Sequence, residues 1–161
     1  MNRLRTYLLL LACLAGAFSS CVPPADVVVL KEKGAAGGTV RVPIVLTRRD
    51  LGAVYLRLDY DHAVVASVDC NACSGNNVLV TSGLDFTEDL EGDLGILAID
   101  TEEPLPMNAI DGCTFQLRPD AAPGIYPVHI ALALATVFGA DGYAPVEVTL
   151  EDGAITIPGS E

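Results

Sequence analysis

Tryptophan is absent, and aromatic residues make up 6% of the 161-residue chain. A sugar-binding sheet stacks flat rings on pyranose faces, so so few rings leave little for such a platform beyond Tyr55 and Tyr143. Basic side chains are also scarce, with 9 Lys and Arg against 21 Asp and Glu and a formal charge of −12. A surface this acidic repels phosphate backbones, which excludes nucleic-acid binding, and it disfavours docking of the folded domain on anionic lipid. There are 2 histidines, neither with an evident nucleophile beside it, and no Gly-x-Ser-x-Gly elbow. No catalytic residue is therefore assigned. Outside the first twenty residues no helical period of useful length exists, and no apolar run reaches the ~20 residues of a spanning helix.

What is present is alternation. Val40, Val42, Ile44 and Leu46 are apolar at every second place, as are Val54, Leu56, Leu58 and Tyr60. A period of two puts alternate side chains on one face of a strand. The spacing predicts two half-buried strands over Thr39–Thr47 and Gly52–Asp61, reversing at Arg48-Arg49-Asp50-Leu51-Gly52. Further strands are expected over Asp26–Lys31, Ala63–Asp69, Val78–Thr81, Leu94–Asp100 and Cys113–Arg118. Others are expected from Val146 to Leu150 and from Ile155 to Ile157. From Tyr126 to Ala135 the pattern conflicts with the helix propensity of Ala and Leu. The alternation is preferred there, with Tyr126, Val128, Ile130, Leu132 and Leu134 inward. The expectation is an all-β chain: an antiparallel two-sheet jelly-roll or immunoglobulin-like sandwich of about nine strands in one domain, residues 26–158.

The N-terminus reads as an address. Arg3 and Arg5 precede an apolar run from Tyr7 to Phe18 and then Ser19-Ser20-Cys21. A basic start, a short apolar run and small residues match a secretory signal peptide over 1–20. Phe18-Ser19-Ser20-Cys21 also resembles the lipobox of bacterial lipoproteins, which implies lipidation of Cys21. Residues 21–25, with Pro23 and Pro24, form a short stiff tether, and 159–161 a tail. The expected location is the cell envelope or outside the cell, membrane-anchored through Cys21.

Cys70, Cys73 and Cys113 remain. Zinc wants four ligands, and His62 and His129 have no ligand-like spacing to them. Export favours a disulfide: Cys113, inward in its strand, is expected to pair with Cys70 at the end of another strand, with Cys73 as the alternative partner and one thiol left free. The loop with Asp85, Glu88, Asp89, Glu91 and Asp93, together with Asp100, Glu102 and Glu103, is rich in carboxylates. Its spacing does not match the Asp-x-Asp-x-Asp-Gly calcium loop. It reads as a solvated surface, with a partner-facing patch as the next reading, and no cofactor is expected.

The order of these features resembles cohesin modules. Gly38-Thr-Val-Arg-Val-Pro-Ile-Val-Leu46 is similar to their opening strand, and Gly52-Ala-Val-Tyr-Leu-Arg-Leu-Asp-Tyr-Asp61 to the next. Phe115 to Pro127 looks like a later strand–turn–strand, and Glu151-Asp-Gly-Ala-Ile-Thr-Ile157 like the closing Asp-Gly-x-Ile-x-Ile. The resemblance implies a nine-stranded jelly roll with a non-catalytic role, binding a dockerin-like module as a monomer. His62 stands where the family usually has Pro. In the family the outward face of the second strand bonds the partner through small polar residues. Here those positions are Ala53, Tyr55, Arg57 and Asp59, with Asp100 and Glu102 added as candidates at the neighbouring loop. The family's polar pair is absent near Ala53 and Tyr55. A carbohydrate-binding module acting on polysaccharide is the alternative.

Overall fold

The structure, a computed structural model, describes residues 25–72, 78–82, 94–139 and 142–159. The leader 1–20, Cys21 and its tether as far as residue 24, Cys73, the acidic residues from Asp85 to Asp93 and the last two tail residues lie outside them.

The described chain is built of strands: β1 (Val27–Val29), β2 (Lys31–Lys33), β3 (Thr39–Val42), β4 (Ile44–Leu46), β5 (Leu51–Tyr60), β6 (Val65–Ala72) and β7 (Val78–Ser82). They continue as β8 (Leu94–Asp100), β9 (Ile110–Leu117), β10 (Gly124–Gly139), β11 (Gly142–Val146), β12 (Leu150–Glu151) and β13 (Gly153–Ile157). One layer of the sandwich is a seven-stranded sheet in the order β2-β13-β10-β5-β8-β7, with β11 on β10. The other layer is two three-stranded pieces, β12-β1-β4 and β3-β9-β6. All ladders are antiparallel except β1 with β12 and β2 with β13, where the first and last strands of the domain run side by side.

There are thirteen segments among the described residues, more than the expected nine or so, because three expected strands are divided; the one expected from Val146 to Leu150 is instead the end of β11 and the start of β12, with 147–149 outside any strand. The first splits at Leu30: β1 lies in one layer and β2 in the other, and the Leu30 amide between them donates to Pro43 O at 3.0 Å. The second splits at Pro43, which has no amide proton for a ladder and marks the change of partner from β9 to β1. Opposite this break stands Gly112 at φ 124°, a backbone conformation that suits only glycine. A Cβ there would meet Val42 O at 2.6 Å and Pro43 Cα at 2.9 Å.

Between the layers Val54, Leu56 and Leu58 of β5 are fully buried with Ile96, Phe115, Ile44, Leu46 and Ile155. Each such side chain contributes roughly 1.5–3 kcal/mol by leaving water. Tyr60 packs edge-on against Phe115, ring centroids 5.6 Å apart. Cys70 and Cys113 face each other across the β6–β9 ladder and are joined in a disulfide that links positions 43 apart.

In β10 the alternation does not run through. Val128 and Ile130 point into the core, but the register with β5 jumps between Ile130 and Leu132, leaving Ala131 as an extra residue. This β-bulge reverses the faces beyond it. Ala133 and Ala135 pack inward, while Leu132 and Leu134 turn outward, Leu134 being 57% exposed. The expectation that Leu132 and Leu134 join the core is thus corrected. The Asp152 carboxylate holds the bulge, accepting the Ile130 N–H at 2.8 Å on Oδ1 and contacting His129 Nδ1 at 2.6 Å on Oδ2.

Candidate partner-binding face

The outer face of the seven-stranded sheet carries the candidate residues. Ala53, Tyr55, Arg57 and Asp59 alternate with the buried Val54, Leu56 and Leu58, so they point away from the core. Strand β5 is central, and the ladders to β10 and β8 fix what lies beside each. Thr136, Ala53 and Ile99 form one row, Leu134, Tyr55 and Leu97 the next, then Leu132, Arg57 and Gly95. Asp59 has His129 on one side and no β8 residue on the other, because that ladder ends at Leu58–Leu94.

These neighbours explain the burial along β5. Tyr55 and Arg57 face outward yet are each only 7% exposed, because large residues or backbone flank them on both sides. Asp59 is exposed, and Ala53 is half-buried. The first three rows are apolar apart from Arg57 and Thr136. A shallow groove of about 620 Å³ runs along the first two of these rows, lined by Ala53, Tyr55, Leu97, Leu134, Pro145 and Glu147 among others. A second depression of about 250 Å³ lies at the Asp59 end, between Asp59, Tyr60, Asp61, Pro127 and His129.

The loop candidates behave differently. Asp100 is 5% exposed and its Oδ1 accepts the backbone N–H groups of Glu102 and Glu103 at 2.9 and 3.1 Å. It shapes the turn after β8 and offers no surface to a partner. Glu102 is exposed beside it. The Tyr143 hydroxyl donates to the Asp100 carbonyl, which ties β11 to the end of β8. Of the two rings considered for sugar stacking, Tyr143 is 42% exposed but Tyr55 is buried, so they do not present a paired flat platform.

Sequence reasoning placed Ala53, Tyr55, Arg57 and Asp59 on one face, and the structure brings them together there. It missed Leu132, Leu134, Leu97, Ile99 and Pro145, which give the face its apolar character. The signal for Leu97 and Ile99 was their alternation with the buried Ile96 and Ala98, which puts them on the opposite face. No periodicity signals Leu132 and Leu134, since the bulge that exposes them leaves the alternation intact. Among the described residues no group of three or more His, Cys, Asp or Glu is placed to hold a metal ion.

No protein-family profile matches the chain. No curated protein matches it in sequence either. Solved structures do match. The seventh ScaB type I cohesin of Pseudobacteroides cellulosolvens superposes with a TM-score of 0.64 at 18% identity, covering 84% of this chain and 92% of that one. A non-cellulosomal cohesin of the hyperthermophilic archaeon Archaeoglobus fulgidus gives 0.61 at 14% identity, over 85% and 93%. The third ScaB cohesin of R. flavefaciens, solved in complex with a group 1 dockerin, gives 0.55 at 15%, over 86% and 99%. At such identities the likeness speaks for the fold: this chain is built on the cohesin fold.

Proposed function

We propose that the chain is a non-catalytic docking module that receives a dockerin-type protein on the outer face of β10, β5 and β8. One observation carries this reading. Two consecutive rows of that face, those of Ala53 and Tyr55, form an apolar, shallow surface that the described residues leave open. Extended apolar surface rimmed by polar residues marks sites of protein association. The fold supports the dockerin class, since similar modules are known in complex with dockerins. Ala53, Tyr55 and Leu134 form the floor of the contact, and Asp59 and Glu102 stand at its margins. Arg57 stiffens the floor from within the sheet.

The leader and Cys21 support export and a lipid anchor, which would hold this face outside the membrane. Mass spectrometry of the mature N-terminus tests that part: an acylated Cys21 is expected, and an unmodified terminus refutes it. The docking role is tested by biolayer interferometry of the full chain against a set of dockerin modules. Binding that weakens about tenfold or more in Leu134→Asp is expected. Binding that ignores this substitution, or selective retention on a glycan array in its place, overturns the reading.

A further inference from the structure

The chain has two lysines, and both lie on β2. That strand is three residues long, Lys31-Glu32-Lys33, and it ends the seven-stranded sheet. Among the described residues it pairs on one side only, with β13. The Gly34 N–H donates to Thr156 O at 3.1 Å. Alternate residues of a strand turn their N–H and C=O groups to opposite sides. Glu32 therefore faces β13 as Gly34 does, and Lys31 and Lys33 turn their backbone groups to the open edge. Both lysines are exposed, in register with Ala154 and Thr156 on the outer side, while Glu32 stands beside the buried Ile155 at the rim of the core.

An edge of this kind is a template for another strand. It also adjoins apolar surface: Ile125, 74% exposed, lies beyond Thr156 in the row of Lys33. Two other edges are closed by different means. Strand β11 carries Pro145, and the Leu46 amide of β4 donates to Met107 O at 2.9 Å. We propose that Lys31-Glu32-Lys33 is a self-exclusion device: it stops the sheet of one copy from continuing into the sheet of a second. Two copies joined symmetrically at this edge meet antiparallel about a two-fold axis. Centred on Glu32, that register sets Lys31 of each copy opposite Lys33 of the other, and Glu32 opposite Glu32. Centred on either lysine, it sets that lysine opposite itself. Like charges directly across a ladder oppose pairing. Strand β2 lies outside the face proposed for docking, so the device acts whatever that face binds.

Removing the charge tests this. Lys31→Thr with Lys33→Thr leaves the edge neutral and rich in strand formers. Sedimentation velocity of the full chain should then show about twice the parent's mass or more at equal concentration. Amide exchange at positions 31 and 33 should slow about tenfold on association, because those N–H groups gain partners. A second route needs no substitution. Acetylation of both lysines in the folded parent removes their charge, and succinylation replaces it with carboxylates. The acetylated chain should associate and the succinylated chain should not. Circular dichroism confirms that each form is folded. A neutral form that keeps the parent's mass overturns the inference. So does association without slower exchange at positions 31 and 33, or association that Leu134→Asp abolishes, which would place the contact on the outer face.

Discussion

Leu134 lies directly opposite Tyr55 in the β5–β10 ladder, on the same face, yet Leu134 is 57% exposed and Tyr55 only 7%. Tyr55 sits on the central strand with Leu97 on its other flank. Leu134 sits where β10 has lost one neighbour and not yet gained the next: β13 pairs as far as Val128, and β11 begins at Ala135. The face is closed along its middle and open along β10.

The bulge makes the effects of neighbouring substitutions opposite to those the plain alternation predicts. Ala135→Asp places a carboxylate at a core position that is 6% exposed and is expected to cost about 3 kcal/mol or more. Leu134→Asp should stay within about 1 kcal/mol of the parent. Urea denaturation of the two variants decides it, and the reverse order refutes the bulge.

The disulfide contributes by restricting the unfolded chain. Cys70 and Cys113 close a loop of 43 positions, worth about 4 kcal/mol in the chain-entropy treatment. The double substitution of Cys70 and Cys113 by Ala is expected to lower the urea midpoint accordingly with little change in the native circular dichroism. An unchanged midpoint would show that the bond is not formed in the native protein.

Gly112 and Gly142 both have positive φ, but only Gly112 is crowded. Gly142→Ala meets nothing within 4 Å and should cost only the backbone strain, about 1 kcal/mol. Gly112→Ala adds the collision with Val42 O and Pro43, and a loss of about 3 kcal/mol is expected. Equal losses in thermal melts would mean that the contact at Pro43 yields without strain.

Thr136 Oγ1 is buried without a hydrogen-bond partner among the described residues. Thr136→Val keeps the shape and removes a desolvated hydroxyl, so a gain of about 1 kcal/mol is expected. A loss of stability in the same chemical denaturation assay would reveal a hydrogen bond at that oxygen.

At the turn before β5 the Arg48 guanidinium holds Asp50 through hydrogen bonds of 2.6 and 3.2 Å. This bond holds the Asp50 carboxyl below its ordinary value of 3.8; burial pushes the other way by less, and the charge of Arg48 adds to the lowering. A folded-state value that is depressed stabilises above the unfolded value and is lost as pH falls through the folded one. Asp50→Asn should therefore be slightly less stable than the parent at neutral pH, and the two should converge as the pH falls through the depressed folded-state value. A gap between their melting curves that persists in acid would assign the effect to something other than this pair.

The even-odd placement of Val40, Val42, Val54, Leu56 and Leu58 by itself determined the strands, the sandwich and which side of β5 faces out. Alternation is a local property, and each strand carries its own. The tertiary structure alone decided three other things: the change of layer at Leu30 and Pro43, the reversal of β10 at Ala131, and the burial of Tyr55 and Arg57 on a face the pattern marks as outer. Each depends on which strands stand alongside, a relation between residues tens of positions apart that no local period encodes. The apolar character of the binding face follows from those neighbours, so it became visible only when Leu134, Tyr55 and Leu97 were seen in one row.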